Sequence, residues 1–243
     1  MNKIAIIIPS RLNAQRLPNK PLKLINNKEM ILHVHEVATR SNVGEVYVAT
    51  PDQEIIDVVK NSGGNAIKTS KKHNTGTDRI FEVFKNHLNN KPTILINLQG
   101  DMPNISPQVI SDLASYMNKG KCDIGTLASD LNSKVEIKNQ NVVKVAVKDK
   151  LSDNIFSNAL DFFRTGKSFK QNLYHHLGIY AFTDKALINY VRLKRSELEL
   201  KRNLEQLRAL ENDMSIHVGY VKSSPLSVDT EEDLIEIKKL MKK

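Results

Sequence analysis

Short apolar runs alternate with stretches of helical period through the first half of the chain, and this alternation limits the fold more than any other feature. Ile4–Pro9, Glu45–Thr50, Ala66–Thr69 and Thr93–Leu98 read as strands, the last of Ile/Leu character. Between them, Met30 to Ser41 places Met30, Ile31, Val34, Val37 and Ala38 at helical spacing, and Gln53–Asn61 is a helix closed by Gly63-Gly64. Thr77–His87 is a helix opened by Thr75-Gly76-Thr77, and Ser106 before Pro107 starts another. Strands separated by helices need crossover connections, so a mostly parallel sheet with helices on both faces is expected.

The rhythm changes after residue 122. Asp123–Ala128, Val142–Lys148, Asn154–Ser157 and Leu173–Phe182 are strand-like, with no intervening helix long enough for a crossover. A mixed extension of the sheet is expected there. Asp184–Val191 and Glu197–Glu211 read as helices, the second with Leu200, Leu204, Leu207 and Leu210 facing inward. Ile216–Val221 is a strand, and Thr230 caps a terminal helix with Glu231 and Glu232 in its first turn. With 243 residues and no repeat or linker, the chain reads as one domain, 1–243, with an inserted smaller lobe at about 122–182.

Composition removes several function classes. No apolar run approaches the roughly 20 residues of a membrane span. The apolar stretch behind Met1-Asn-Lys is too short for a secretory leader, and one cysteine, Cys122, permits no internal disulfide, so a cytoplasmic location is expected. The formal charge of +9 raises nucleic acid as a partner. Much of the excess is lysine on helix faces, as at Lys238, Lys239, Lys242 and Lys243, and the chain lacks Trp and any aromatic–basic interleaving. No nucleic-acid binding is expected, although the charge favours small anionic substrates. There is no Walker loop and no GxGxxG after a strand, which removes ordinary P-loop kinases and dinucleotide dehydrogenases.

The loop after the first strand carries Arg11, Arg16 and Lys20 and no acid. Open α/β sheets bind ligands at the carboxyl ends of their strands, so three cations there are placed to hold a polyanion such as a triphosphate. The alternative is a solvated basic loop. Asp101 follows the Thr93–Leu98 strand through Gln99 and Gly100, where a carboxylate holds a divalent cation or a ribose, or merely caps a turn. Asp229 precedes the Thr230–Asp233 capping box, which explains Thr230 but leaves Asp229 as a second metal carboxylate or a turn residue. In Tyr174–Phe182, His176, Gly178 and Tyr180 share one face by alternation, while His175 and His176 point oppositely and make no metal pair. That face, and Glu205-Gln206, line a polyol pocket or belong to the surface.

These segments, taken in order, resemble the 3-deoxy-manno-octulosonate cytidylyltransferases, the CMP-Kdo synthetases of lipopolysaccharide assembly. The matching stretches are Ile7-Ile-Pro-Ser-Arg11, Arg16-Leu-Pro-Asn-Lys-Pro21, Val48-Ala-Thr50, Thr75-Gly-Thr-Asp-Arg79 and Asn97-Leu-Gln-Gly-Asp101. They continue with Val142-Val-Lys-Val-Ala146, His176-Leu-Gly-Ile-Tyr180, Leu204-Glu-Gln-Leu-Arg208 and Val228-Asp-Thr-Glu-Glu-Asp-Leu234. The resemblance implies a Rossmann-like nucleotide-diphosphosugar-transferase fold, a homodimer joined through the lobe, and CTP, Mg²⁺ and an eight-carbon sugar acid as partners. It implies that Pro9, Ser10, Arg11, Arg16, Lys20, Thr75 and Gln99 hold CTP, and that Asp101 and Asp229 bind two Mg²⁺ ions. Arg11, Lys20, Asp101 and Asp229 would carry the chemistry. Arg79, Gln99, His176, Tyr180, Glu205 and Gln206 would hold the sugar acid.

Two departures bear on the acceptor. The family commonly has Phe-Ser-Arg where this chain has Phe156-Ser-Asn158, and often an acid or amide where it has Met102. Asn cannot make the bidentate carboxylate pair that Arg makes. Arg164 lies near enough in sequence to compensate; otherwise the acceptor is a modified acid such as an 8-amino analogue, or a sialic-acid-like nonulosonate.

Overall fold

The computed structural model describes residues 3–13, 16–89, 91–131, 134–153, 155–165 and 172–242, and it divides into two compact units. The first comprises residues up to Ser111 together with Pro225 onward; the second is Asp112–Ser224.

In the first unit the chain runs β1 (Ile4–Pro9), β2 (Leu24–Ile25), β3 (Lys28–Glu29), α1 (Met30–Arg40), β4 (Glu45–Thr50), α2 (Gln53–Asn61), β5 (Asn65–Lys68), α3 (Gly76–Asn86) and β6 (Ile94–Leu98). Helix α4 (Pro107–Met117) follows, with the boundary between the units after its Ser111, and the C-terminal helix Glu231–Leu240 completes the first unit. β1 lies between β4 and β6 and β5 flanks β4, all parallel, as the alternation requires. β1 and β6 are rich in Ile and Leu because both of their faces are covered: Ile6, Ile7, Ile8, Leu95 and Ile96 are fully buried. The helical face of α1 is the one its spacing predicts, Met30, Ile31, Val34, Val37 and Ala38 all being buried.

The β2–β3 hairpin is absent from the sequence reading. Asn26 and Asn27 both take positive φ (49° and 69°), the conformation of a two-residue hairpin turn, and Asn tolerates it better than other residues with a side chain. The hairpin delivers the chain into α1, and its Ile25 packs with Leu17, Met30, Val228, Leu234 and Ile237. This cluster joins the loop after β1 to the C-terminal segment.

The second unit holds β7 (Ile124–Ser129), α5 (Lys134–Lys138), β8 (Lys144–Val147), β9 (Phe156–Phe163), β10 (Leu173–Thr183), α6 (Asp184–Arg192), α7 (Glu197–Arg202), α8 (Gln206–Leu210) and β11 (Ile216–Tyr220). Its pairing is mixed, as expected. β7 is antiparallel to β10 and parallel to β11, and β9 is antiparallel to both β11 and β8. The first residues of β10, Leu173–His175, also pair with β8, so the sheet folds back on itself.

Two sequence expectations change here. β9 is longer than Asn154–Ser157, and Asn154 lies outside the described residues. The expected helix 197–211 is two helices, because Asn203 adopts a left-handed conformation (φ 52°, ψ 49°) that ends α7. The break rotates the leucines apart: Leu204 and Leu207 are buried, whereas Leu200 is 56% exposed.

Candidate active site

In the first unit, the carboxyl ends of β1 and β6 bring most of the expected nucleotide residues together. β1 ends at Pro9, the Ser10 amide donates to the Ala49 carbonyl at 2.9 Å, and Arg11 follows on the surface. Gly76, at the start of α3, closes against Pro9 and Gln99: an added Cβ would lie 3.3 Å from the Pro9 ring and 3.7 Å from Gln99 Nε2. Thr75 caps α3, its hydroxyl accepting from the Asp78 amide at 3.1 Å and donating to the Asp78 carboxylate.

The three cations of the loop are not all unopposed, as their local sequence suggests. Lys20 Nζ donates to Asp101 Oδ2 at 2.9 Å and to Asp229 Oδ1 at 3.0 Å, and Arg16 Nη2 pairs with Asp229 Oδ2 at 3.0 Å. Desolvation pulls the Lys20 pKa down, but the charges and hydrogen bonds of Asp101 and Asp229 outweigh it and raise it above the ordinary value. Arg11 has no acidic partner among the described residues. It lies near enough to Arg79 to lower that guanidinium's pKa, after desolvation, the larger cause.

The position of Asp229 follows from local structure. Asp233 accepts from the amides of both Asp229 and Thr230 at 2.9 Å, and the Thr230 hydroxyl accepts from the Asp233 amide at 3.2 Å. The Asp101 carbonyl accepts from the Val228 amide at 2.9 Å, so the two acidic segments are joined by backbone just before the cap. The capping box is as the sequence predicts; Asp229 is the residue that it presents.

Arg79, expected at the sugar, is 4% exposed, and its guanidinium bonds the Thr69 hydroxyl and the Ser70 carbonyl, fixing the loop between β5 and α3. Gln99 Nε2 donates to Asn97 Oδ1 at 3.2 Å. Asn97 is fully buried, and among the described residues neither its amide nitrogen nor the buried Ser10 hydroxyl has a hydrogen-bond partner. Such groups cost stability unless something fills the need. Asn97 opens one of the family-like stretches of the sequence but is given no role there; its signal is an amide inside an otherwise Ile/Leu strand.

The remaining expected sugar residues, His176, Tyr180, Glu205 and Gln206, fall in the second unit. His176 and Tyr180 are buried on β10 with rings 5.3 Å apart, although the ladder to β7 slips between Leu177 and Tyr180. The slip is a bulge, and the buried Thr126 hydroxyl serves it. It donates to the Ile179 carbonyl at 2.7 Å and thus accepts from His176 Nε2 at 2.9 Å. His176 is therefore the Nε2–H tautomer, with Nδ1 an acceptor. Desolvation, then the charges of His175 and Arg164, push its pKa down to about 3, so it is neutral. Desolvation and then Glu205 raise the Tyr180 phenol well above its ordinary value, so it keeps its proton. His175 points the other way, to Glu136, as alternation predicts.

Of the two departures, Met102 is buried and Asn158 is exposed on β9, paired in register with His217. The charge of Arg164 acts on both His176 and Tyr180, while its Nη1 donates to the Gln140 and Asn141 carbonyls at 3.1 and 2.8 Å.

Residues 5–216 match the family model for cytidylyltransferases. A 3-deoxy-manno-octulosonate cytidylyltransferase of Brucella ovis is 42% identical over 234 residues, 96% of this chain and 93% of that protein. The enzyme of the same name from Brucella anthropi is 40% identical over 96% of this chain and 94% of its own. A solved structure of CMP:2-keto-3-deoxy-manno-octonic acid synthetase complexed with CTP superposes with a TM-score of 0.89 at 36% identity, covering 98% of each chain. A 4-diphosphocytidyl-2C-methyl-D-erythritol synthase from Anaerococcus prevotii, 15% identical, shares the fold alone, with a TM-score of 0.66 over 100% of this chain and 99% of its own. The Rossmann-like nucleotide-sugar-transferase fold is thus the one expected, and the chain belongs to the cytidylyltransferase family, within its 3-deoxy-manno-octulosonate branch.

Proposed function

We propose that this chain joins CTP to 3-deoxy-manno-octulosonate, giving the CMP-sugar and pyrophosphate for lipopolysaccharide assembly. The observation that carries the reading is the convergence of Asp101 and Asp229 on Lys20, with Arg16 paired to Asp229, at the strand ends. It is supported by relatives named for this reaction and by the CTP complex of a 36% identical structure.

In this reading the anomeric hydroxyl of the sugar acid attacks the α-phosphorus of CTP, forming one P–O bond as the bond to pyrophosphate breaks. Arg11, Arg16 and Lys20 bind the triphosphate and offset the charge that builds on the leaving group. Pro9, Ser10, Thr75 and Gln99 hold the nucleotide, and the unmatched Ser10 hydroxyl is available to it. His176 accepts a sugar hydroxyl at Nδ1, Tyr180 donates, and Glu205, Gln206, Arg79 and Gln99 fix the remaining polar groups.

The residues fit Mg²⁺. Among the described residues no group of three or more His, Cys, Asp or Glu forms a metal cage, but two carboxylates already converge on one cation. Mg²⁺ takes few protein carboxylates and completes its shell with substrate phosphates and water. Asp101 and Asp229 would hold two such ions, which when bound neutralise phosphate charge and lower the pKa of the attacking hydroxyl.

Arg164 supplies the cation that Asn158 does not, which favours an ordinary ulosonate carboxylate as acceptor. The Asn158 departure keeps an 8-amino analogue or a nonulosonate as the second reading. The chain is taken to act in the cytoplasm as a homodimer, and light scattering tests the stoichiometry. No helix among the described residues is long and apolar enough to cross a membrane.

The deciding experiment is pyrophosphate release from CTP and Mg²⁺ with 3-deoxy-manno-octulosonate, its 8-amino analogue and N-acetylneuraminate supplied separately. Release with the first alone is expected. Release only with another acid keeps the chemistry and changes the acceptor, and silence with all three from CTP-binding protein overturns the reading.

A further inference from the structure

We propose that Arg208 and Glu199 are positioning residues for the sugar-acid acceptor, their buried ion pair setting the turn that presents Glu205 and Gln206. The proposal rests on the reading that Glu205 and Gln206 hold that acceptor.

Glu199 is fully buried and Arg208 is 3% exposed. The guanidinium meets the carboxylate as a fork, Nε to Oε2 at 2.8 Å and Nη2 to Oε1 at 2.7 Å. Arg195 Nε donates to Oε1 at 2.9 Å and the Ser196 amide to Oε2 at 3.2 Å, so both carboxylate oxygens are fully engaged. Glu199 lies on α7 and Arg208 on α8, and the pair therefore spans the left-handed break at Asn203. The residues that it brackets are the ones assigned to the acceptor.

A third contact fixes the same turn. Arg208 stacks over Tyr190, its guanidinium carbon 4.6 Å from the ring centroid, and the Tyr190 hydroxyl donates to the Glu205 carbonyl at 2.8 Å. Glu205 lies close enough to Tyr180 for its charge, after desolvation, to raise that phenol's pKa, so the turn and the His176–Tyr180 strand are electrostatic neighbours.

Stability alone does not account for this arrangement. Leu204 and Leu207 already anchor the turn in the core. Replacing a buried ion pair with apolar residues of similar size is often neutral or stabilising, because desolvating two charges costs as much as their attraction returns. What a two-pronged guanidinium–carboxylate contact adds is a single permitted orientation.

The test is the double variant Glu199→Leu/Arg208→Met in the full chain, compared with Glu205→Ala. The double variant is expected to keep the parent far-UV spectrum and a CTP KM within twofold, while the KM for 3-deoxy-manno-octulosonate rises at least tenfold. Arg208→Lys, which keeps the charge and loses the fork, is expected to fall between. Tyr190→Phe removes only the hydroxyl bond to Glu205 and is expected to raise the acceptor KM about fivefold; it serves as the test if the double variant does not fold. An acceptor KM within twofold of the parent in a folded double variant, or in Tyr190→Phe where that variant serves, overturns the proposal. If Glu205→Ala itself leaves that KM unchanged, the acceptor reading fails instead, and the positioning role with it.

Discussion

Lys20 and Asp229 stand 209 residues apart in sequence and 3.0 Å apart in space. The same ammonium holds Asp101, so one cation is shared by two carboxylates, with Arg16 as a second partner of Asp229. A triphosphate therefore competes with both acids for Lys20, and a divalent ion competes with Lys20 for both acids.

Lys20→Met is therefore expected to have two effects of opposite sign. Without their shared cation, Asp101 and Asp229 attract a divalent ion more strongly, although Arg16 still pairs with Asp229. Mn²⁺ binding to nucleotide-free protein, followed by electron paramagnetic resonance, should tighten about tenfold, or ~1.4 kcal/mol. Turnover should fall at least ~10²-fold because a phosphate contact is lost. Equal Mn²⁺ affinity in parent and variant would contradict the competition.

Asp101→Asn and Asp229→Asn are expected to reduce pyrophosphate release at least ~10²-fold each while the chain stays folded. The amide keeps the volume and loses the charge. Thermal melts within a few degrees of the parent separate lost chemistry from lost structure. Full activity in either variant would refute its metal role.

His176 makes stability depend on pH. It refuses a proton down to about pH 3 in the folded chain, whereas a free histidine accepts one at 6.5. Across that window the unfolded chain binds the extra proton, so stability is complete above pH 6.5 and is lost as the pH falls toward 3. Relative to His176→Gln, the parent should lose about 2 kcal/mol more, roughly 4–8 °C of melting temperature, between pH 7.5 and 5.0. Equal losses in parent and variant would count against it.

Leu234→Ala tests the support beneath Asp229. Leu234 is buried against Leu17, Ile25, Met30, Val228 and Ile237, and its truncation should cost about 2–5 kcal/mol. The CTP KM is expected to rise as well, because the same cluster seats the loop that carries Arg16 and Lys20. A destabilised variant with an unchanged CTP KM would separate the core from the site.

The parallel strands and first helices were legible because their signals are local: Ile4–Ile8 is apolar on both faces, Ile94–Leu98 is so except at Asn97, and Gly63-Gly64 marks a helix end. The capping box at Thr230 and Asp233 was legible for the same reason. The partners of Lys20 were not, since no window of sequence contains contacts 81 and 209 residues distant. Nor was the break at Asn203, where leucine spacing implied one helix and a single left-handed residue divided it. Thr126, which sets the tautomer of His176, gave no signal of its own inside its strand, because the bulge it serves arises only in the folded sheet.

Residues from Pro225 onward belong to the first unit, and Val228, Leu234 and Ile237 complete a cluster begun by Leu17 and Ile25. During synthesis, chains fold in the order in which they leave the ribosome. For this one, Asp229 cannot reach Lys20 until the chain has grown 209 residues past it. A nascent chain would thus carry its basic loop through most of its synthesis before Asp229 arrives to complete the arrangement.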